Sequence, residues 1–477
     1  MQVFSLLFFC LTAAVFGLIF LGNKLCKRDS AKVAVSKWIL LIASYLFVCY
    51  ADVLFGLVLA ALTVIVWFCA QKKSRIKYGI LAAIIALAFF KYTNFFAESF
   101  SKLFGKDDFT ALHIILPLGI SFYTFSAISY LADIHRGKLQ AGPLLDVALY
   151  LSFFPKITSG PIMRSGAFFE AVNRPRNIGW ESFSVGIQIF CIGLFKKLVL
   201  ADRLSVLVDQ VYKTPLAFDG VTVWLAVIAY SLQIYFDFSG YSDMAIGVAN
   251  MLDIHLPRNF NLPYLSHNVT ELWKRWHISL SSWLQDYLYI SLGGNRKGKF
   301  RAYINLFATM VIGGLWHGAN WTFILWGALH GAALIVHKLW TGLTKSNERQ
   351  SSLPARVASI LITFVFTSFC WIFFRAESLS KALDIIGRLF CFGDGIVHMY
   401  LWLVLGIAVL LVGSLAAIMA ANDRTLPQKR QNQSYVNGYY PILNLKKFWN
   451  LVAFFVFCGL IICLAYTGGS PFIYGTF

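Results

Sequence analysis

Charge is scarce in this chain of 477 residues, where Asp, Glu, Lys and Arg together make up 13%. A soluble domain carries about 25%, so a freely soluble fold is excluded. Long polar stretches are also missing. The longest, Ala421 to Leu445, is too small to form a domain, and no internal repeat or low-complexity linker interrupts the chain. No CxxC pair occurs, and the nine cysteines are scattered, mostly inside apolar runs. That excludes a disulfide framework and a thiolate metal site, and leaves them as small apolar packers. HExxH spacing is absent, and His317, His330 and His337 have no clustered carboxylate or cysteine, so a metal site has little support. A GxSxG elbow, a P-loop and a helix-opening GxGxxG are absent too, which argues against serine-nucleophile and nucleotide-hydrolysing chemistry.

What is present is apolar. Hydrophobic residues make up 58% of the chain and aromatics 17%, with 44 Phe, 21 Tyr and 14 Trp, and the mean hydropathy is +0.67. The chain reads as an all-α polytopic integral membrane protein, one membrane domain over residues 1–477. Roughly ten to eleven spanning helices are expected, with re-entrant or interfacial helices beside them. The net charge of +19 does not mark a nucleic-acid binder, because the basic residues lie in short loops between apolar spans. Such loops mark the cytoplasmic side. Gln2 to Leu21 is apolar, and Lys24, Lys27, Arg28, Lys32 and Lys37 follow it. That polarity is opposite to a signal peptide's, so a retained first helix with its N-terminus outside is expected.

Further along, Trp38 to Ala70 reads as a hairpin, broken at Asp52, with basic flanks on both sides. Tyr78 to Phe96 crosses, carrying Lys91 close enough to the helix end to snorkel. Phe104 to Thr110 is an external loop, and Ile114 to Ile134 crosses back. Leu144 to Ile162 contains Pro155, Gly160 and Pro161, which would break a spanning helix, so a re-entrant segment is expected. Trp180 to Leu200 and Val221 to Met251 cross again. Asp237 and Asp243 in the latter must be paired, protonated or wet at a helix end. Leu361 to Phe374, Tyr400 to Ala420 and Phe448 to Tyr466 complete the set.

The chain is organised around Tyr303 to Trp340, an apolar stretch with His317 near its middle and no Arg or Lys from Ala302 through His337. An ionisable group at that depth is costly and faces a cavity or a partner. Gly313, Gly314 and Gly318 either let helices approach closely or loosen the helix. A core histidine bridging two helices is the structural alternative. A second candidate, His277, falls on an amphipathic, Trp-rich helix that starts at Val269, with Asn268 as N-cap and Glu271 three positions on. Trp316 and Asn320 flank His317, and Trp276 and Arg275 flank His277, as candidate substrate or tunnel residues. His330 and His337 could share a helix face, with a satisfied packing role. These elements converge on a tunnel entered from the cytoplasm. The chemistry left is acid–base catalysis by a histidine acting on a hydroxyl that attacks an activated acyl group. A transporter gated by a protonatable histidine competes with it.

Five ordered blocks carry a family resemblance. They read LPLGISFYTFSAISYLADIHRG, FFPKITSGPIMR, YFDFSGYSDMAIGVANMLDIHLPRNFNLPY, ELWKRWHISLSSWLQDYLYISLGGNRKG and GGLWHGANWTFILWGALHG, between about Leu116 and Gly331. Together they resemble the membrane-bound O-acyltransferase family, alginate O-acetyltransferase type. The resemblance implies a central tunnel through the membrane, with His317 at the family's most characteristic histidine and His277 at its second polar position. It also implies a multi-pass protein of the inner or plasma membrane, a cytoplasmic thioester donor, acetyl-CoA in the alginate type, and no metal. The acceptor it implies is a hydroxyl on an exported polysaccharide, or on a separate extracytoplasmic acyltransferase or small membrane partner. The GGNRKG block favours this type over the teichoic-acid D-alanyl type, which remains the enzymatic alternative.

Overall fold

In the computed structural model, residues 6–104, 111–344, 352–397 and 442–466 are described, together with positions 406, 409, 413, 468, 472 and 473. Among them the chain is helical, and eight helices are long and apolar enough to cross a membrane. The expected span Tyr400 to Ala420 lies outside the described residues, as does nearly all of the loop Phe104 to Thr110. The last apolar helix, Phe448–Leu464, has 17 residues. Two compact units divide the chain, one of residues 1–190 and 241–257, the other of residues 191–240 and 258–477.

The first unit opens with α1 (Leu6–Leu25), α2 (Asp29–Ala51), α3 (Val53–Ala70) and α4 (Ile76–Leu103). The hairpin read over Trp38 to Ala70 is therefore two long helices, because α2 starts well before Trp38. Asp52 makes the break: its backbone is extended, and its carboxylate accepts from the Leu54 N–H at 2.8 Å, satisfying a donor the helix start leaves over. Lys91 does not reach away from the protein, since its Nζ donates to Ser121 Oγ at 3.4 Å. The segment expected to cross over Ile114 to Ile134 is helical over only part of its length. A helix, α5, runs only Ile120–His135, 16 residues, because Pro117 and the left-handed Gly119 hold the preceding chain out of helix. Next, α6 (Leu144–Ser152) stops two residues short of Phe154-Pro155, and buried non-helical chain follows up to α7 (Ser165–Val172). This is the break that Pro155 and Gly160 called for. Lys37, near the end of the first basic segment, is buried on α2 and paired with Asp146 at 2.6 Å.

From Trp180 the chain runs through α8 (Trp180–Leu194), a π-helical segment Phe195–Ala201, and α9 (Asp202–Lys213). The long α10 (Gly220–Met251) follows, and every residue from Ala229 to Met251 is buried. A helix apolar on all sides belongs inside a large protein. Its carboxylate Asp237 is paired, with Lys197 Nζ at 2.6 Å from Asp237 and 2.8 Å from Asp202. Of the readings open for this group, pairing holds, and it ties the π segment to α10.

The second unit continues with α11 (Val269–Arg275), α12 (Ile278–Trp283), a second π segment Leu284–Tyr289, α13 (Lys299–His317), α14 (Trp321–Thr344), α15 (Leu353–Arg375) and α16 (Leu379–Arg388). Two sequence expectations change here. The Trp-rich helix from Val269 is broken at Trp276-His277. The organising stretch from Tyr303 is broken as well, directly after His317. Helices α13 and α14 then pack as a close antiparallel pair. A Cβ at Gly314 would overlap the Phe323 carbonyl, and one at Gly327 the Met310 carbonyl, so close approach is what the glycines provide.

Candidate active site

His317 is the last residue of α13, and the chain leaves it through the extended Gly318. The side chain is 4% exposed. Three rings surround its imidazole: Trp316 at 4.8 Å between centroids, and Trp326 and Phe374 at 5.2 Å each, all edge-on. The histidine thus sits within aromatic walls.

His277 is reached by a different device. It sits at the break between α11 and α12 with φ 43° and ψ 54°, a left-handed conformation that costs a non-glycine residue about 1–2 kcal/mol. Asn259 holds the bend: its carbonyl accepts from Ile278 N–H at 2.8 Å, and its Oδ1 accepts from Ser279 Oγ at 2.6 Å. Strain kept in place by surrounding bonds is a mark of functional sites. The ring is 1% exposed, edge-on to Phe238 at 4.6 Å and tilted to Trp316 at 6.4 Å. Burial pushes its imidazole far below the ordinary value, to about 3, so it is neutral at pH 7 and offers one donor and one acceptor. The Trp316 ring thus stands between the two histidines.

The other expected site residues divide. Trp276 is buried among Tyr235, Phe260, Tyr264 and Trp371. Arg275 lies on the other side of the bend, bound to Glu271 at 2.7 Å and to the Asn261 carbonyl at 3.3 Å. The amide of Asn320 is engaged in structure. Its Oδ1 accepts from Thr322 N–H at 3.0 Å, capping α14, and its Nδ2 donates to the Glu377 carbonyl at 2.9 Å. Asn268 caps α11 through Glu271 N–H at 2.8 Å, and Glu271 accepts from His267 N–H at 2.8 Å. Burial acts to raise the Glu271 carboxyl, but the His267 N–H and the Arg275 guanidinium outweigh it and hold the group below its usual range.

Beside α11, α12, α13 and α14 lies a cavity of about 610 Å³, walled by Trp273, Ile278, Thr309, Met310 and Leu334, with Lys274 and Lys338 among its polar residues. That volume holds a drug-sized ligand. Trp273 lines it and touches Trp326 at 5.7 Å, and Trp326 touches His317. The cavity therefore lies two rings from the candidate base.

Residues 67–375 match MBOAT, the membrane-bound O-acyltransferase family, a match over well more than half of the chain. This chain belongs to that family. It is 41% identical over 373 residues to a probable alginate O-acetylase of Pseudomonas putida, covering 75% of each chain. Against the peptidoglycan O-acetyltransferase of Helicobacter pylori it is 40% identical, over 66% of this chain and 64% of that one. A teichoic acid D-alanyltransferase of Streptococcus thermophilus is 32% identical over 47% of this chain and 57% of its own. The protein is an O-acyltransferase and a multi-pass membrane protein.

For a membrane-bound O-acyltransferase the surroundings of His317 hold residues that the sequence did not single out. Trp326, Phe374 and Phe238 line the histidines from three different helices. Trp326 and Phe238 gave a local signal, each lying within a block that carries the resemblance, whereas Phe374 lies outside them all. Trp371 stacks on Trp326 at 5.6 Å, and nothing in the local sequence marks it. Among the described residues no group of three or more His, Cys, Asp and Glu could hold a metal ion.

Proposed function

We propose that this protein transfers an acetyl group from acetyl-CoA in the cytoplasm to a hydroxyl on an exported polysaccharide, or on a partner protein that passes the group on. The observation that carries this reading is His317, a buried imidazole ringed by aromatic walls and two rings from a ligand-sized cavity with lysines at its edge. The identity to alginate and peptidoglycan O-acetylating relatives supports acetyl as the group and a cell-envelope polymer as the acceptor. It also supports residence in the cell membrane, with a separate extracytoplasmic transferase or small membrane protein as partner.

In this reading the donor enters the cavity by Lys274 and Lys338, which attract its phosphates. His317 takes the proton of the acceptor hydroxyl as the oxygen bonds to the thioester carbonyl carbon. The C–S bond breaks, and the proton on His317 passes to the leaving thiolate. Neutral His277 offers an N–H to the oxygen that gains charge. Apolar walls strengthen both interactions by excluding water.

Sealed vesicles with labelled acetyl-CoA at the cytoplasmic face and acceptor outside give the test. Expected are label on the outer acceptor, free thiol inside, and loss of both in His317→Ala. Intact labelled solute crossing without thiol release would instead make the protein a transporter and His317 its gate.

A further inference from the structure

His330 stands in α14 with its side chain 1% exposed, and the sequence gives it a packing role with its hydrogen bonds made. The structure assigns it otherwise. Neither Nδ1 nor Nε2 has a hydrogen-bond partner among the described residues, and the same holds for the indole Nε1 of Trp273 and of Trp326. A buried polar atom left so costs about 1–3 kcal/mol, and four occur in one cluster. His330 lies 5.2 Å from Trp273 and 5.0 Å from Trp326 between centroids, with Phe366 at 5.6 Å closing the cage. Trp273 is also a wall of the 610 Å³ cavity, and Trp326 is edge-on to His317 at 5.2 Å. The cluster thus lies between the cavity and the base. Along α14, Leu334 and His337, one and two turns beyond His330, line that same cavity, and His337 Nδ1 pairs with Thr270 Oγ1 at 2.9 Å.

The chemistry of the four atoms selects a ligand. Two indoles give two N–H donors, and a neutral imidazole gives one donor and one acceptor. Two of the donors match the two lone pairs of a secondary-amide carbonyl and the acceptor meets its N–H, with no charge on either side. A carboxylate or phosphate would lack a cation, and an ammonium would find one acceptor for three protons. Coenzyme A thioesters carry a secondary amide two carbons from sulfur. We propose that His330, with the Trp273 and Trp326 indoles, binds the amide of the donor's arm. This rests on the thioester-donor reading above. His330 is a substrate-binding residue here and takes no proton from the acceptor.

The test uses purified full-length protein, acetyl-CoA as donor and pantetheine, the amide-bearing arm without phosphates, as competitor. His330→Phe is expected to raise the KM for acetyl-CoA and the inhibition constant of pantetheine at least ten-fold, with kcat within three-fold. Trp273→Phe moves both in the same direction. His330→Gln, which keeps a donor and an acceptor, stays within three-fold of wild type. KM and inhibition unchanged within two-fold in the Phe variants overturn the proposal, as does a loss of kcat alone. A His330→Phe chain that fails to fold while Trp273→Phe matches wild type overturns it equally. Wild-type turnover of acetyl-CoA with no pantetheine inhibition removes the amide site and leaves the donor reading standing. No thioester turnover by wild type removes both.

Discussion

At the scale of residues, the proposed reading puts the chemistry on one imidazole, and its neighbours set its surroundings. Removing His317 takes away the proton acceptor but leaves walls of Trp316, Trp326 and Phe374. His317→Ala is therefore expected to lower acyl transfer by at least ~100-fold, the range of a lost general base. The protein should still insert and elute as one species, as thiol release and size-exclusion chromatography would show. Activity within a few-fold of wild type would remove the residue from this role. The burial of this histidine was legible because it stands alone as an ionisable group in a long apolar run, where such a group is costly. His330 was not, because a histidine at helical spacing looks the same whether its nitrogens are bonded or free. Trp371 and Phe374 were out of reach for another reason: only the fold brings α15 against His317 and Trp326. Asn320 carried a real signal, but of a different kind, since an Asn ahead of an apolar run is also a helix cap.

At the scale of elements, the breaks decide the site. Hydropathy runs smoothly from Tyr303 to Trp340, so it hid the turn at Gly318 that makes His317 a helix end. The bend at His277 was hidden likewise, as a histidine takes the left-handed region only occasionally. The start of α11 was legible, through Asn268 and Glu271. Asn268→Ala is expected to cost about 1 kcal/mol of stability, read as a lower midpoint of thermal unfolding in detergent, and an unchanged midpoint would mean the cap carries no weight. Glu271 adds an acid-sensitive part. Its folded-state pKa lies below the ordinary carboxylate value. Its stabilisation is therefore present above the unfolded pKa, near 4.3, and is lost as pH falls through the lower folded value. Glu271→Gln should flatten that acid limb of the midpoint against pH, while an identical limb in the variant would assign the acid sensitivity elsewhere.

At the scale of the whole molecule, the positive charge is the feature that composition reveals and folding places. Among the described residues, eight helices suited to crossing a membrane agree with the all-helical reading, and the basic segments between them predict orientation. Cysteines introduced at Lys27, Ser74 and Lys297 are expected to stay unlabelled by an impermeant reagent in intact cells and to label after lysis. Labelling in intact cells at any of them would overturn that orientation. The same charge bears on the donor. Lys274 and Lys338 are both exposed and border the 610 Å³ cavity, and a polyanionic donor approaching them gains most at low ionic strength, since the Debye length is ~10 Å at 0.1 M salt. Lys274→Ala combined with Lys338→Ala should raise the KM for acetyl-CoA several-fold in low salt, with kcat kept, because neither lysine reaches the reacting atoms. Added salt should raise the wild-type KM toward the variant's and move the variant's far less, so the two converge. Parallel salt curves for the two proteins would place phosphate attraction elsewhere among the 41 basic residues, and the cavity's lysines would then be bystanders to donor entry.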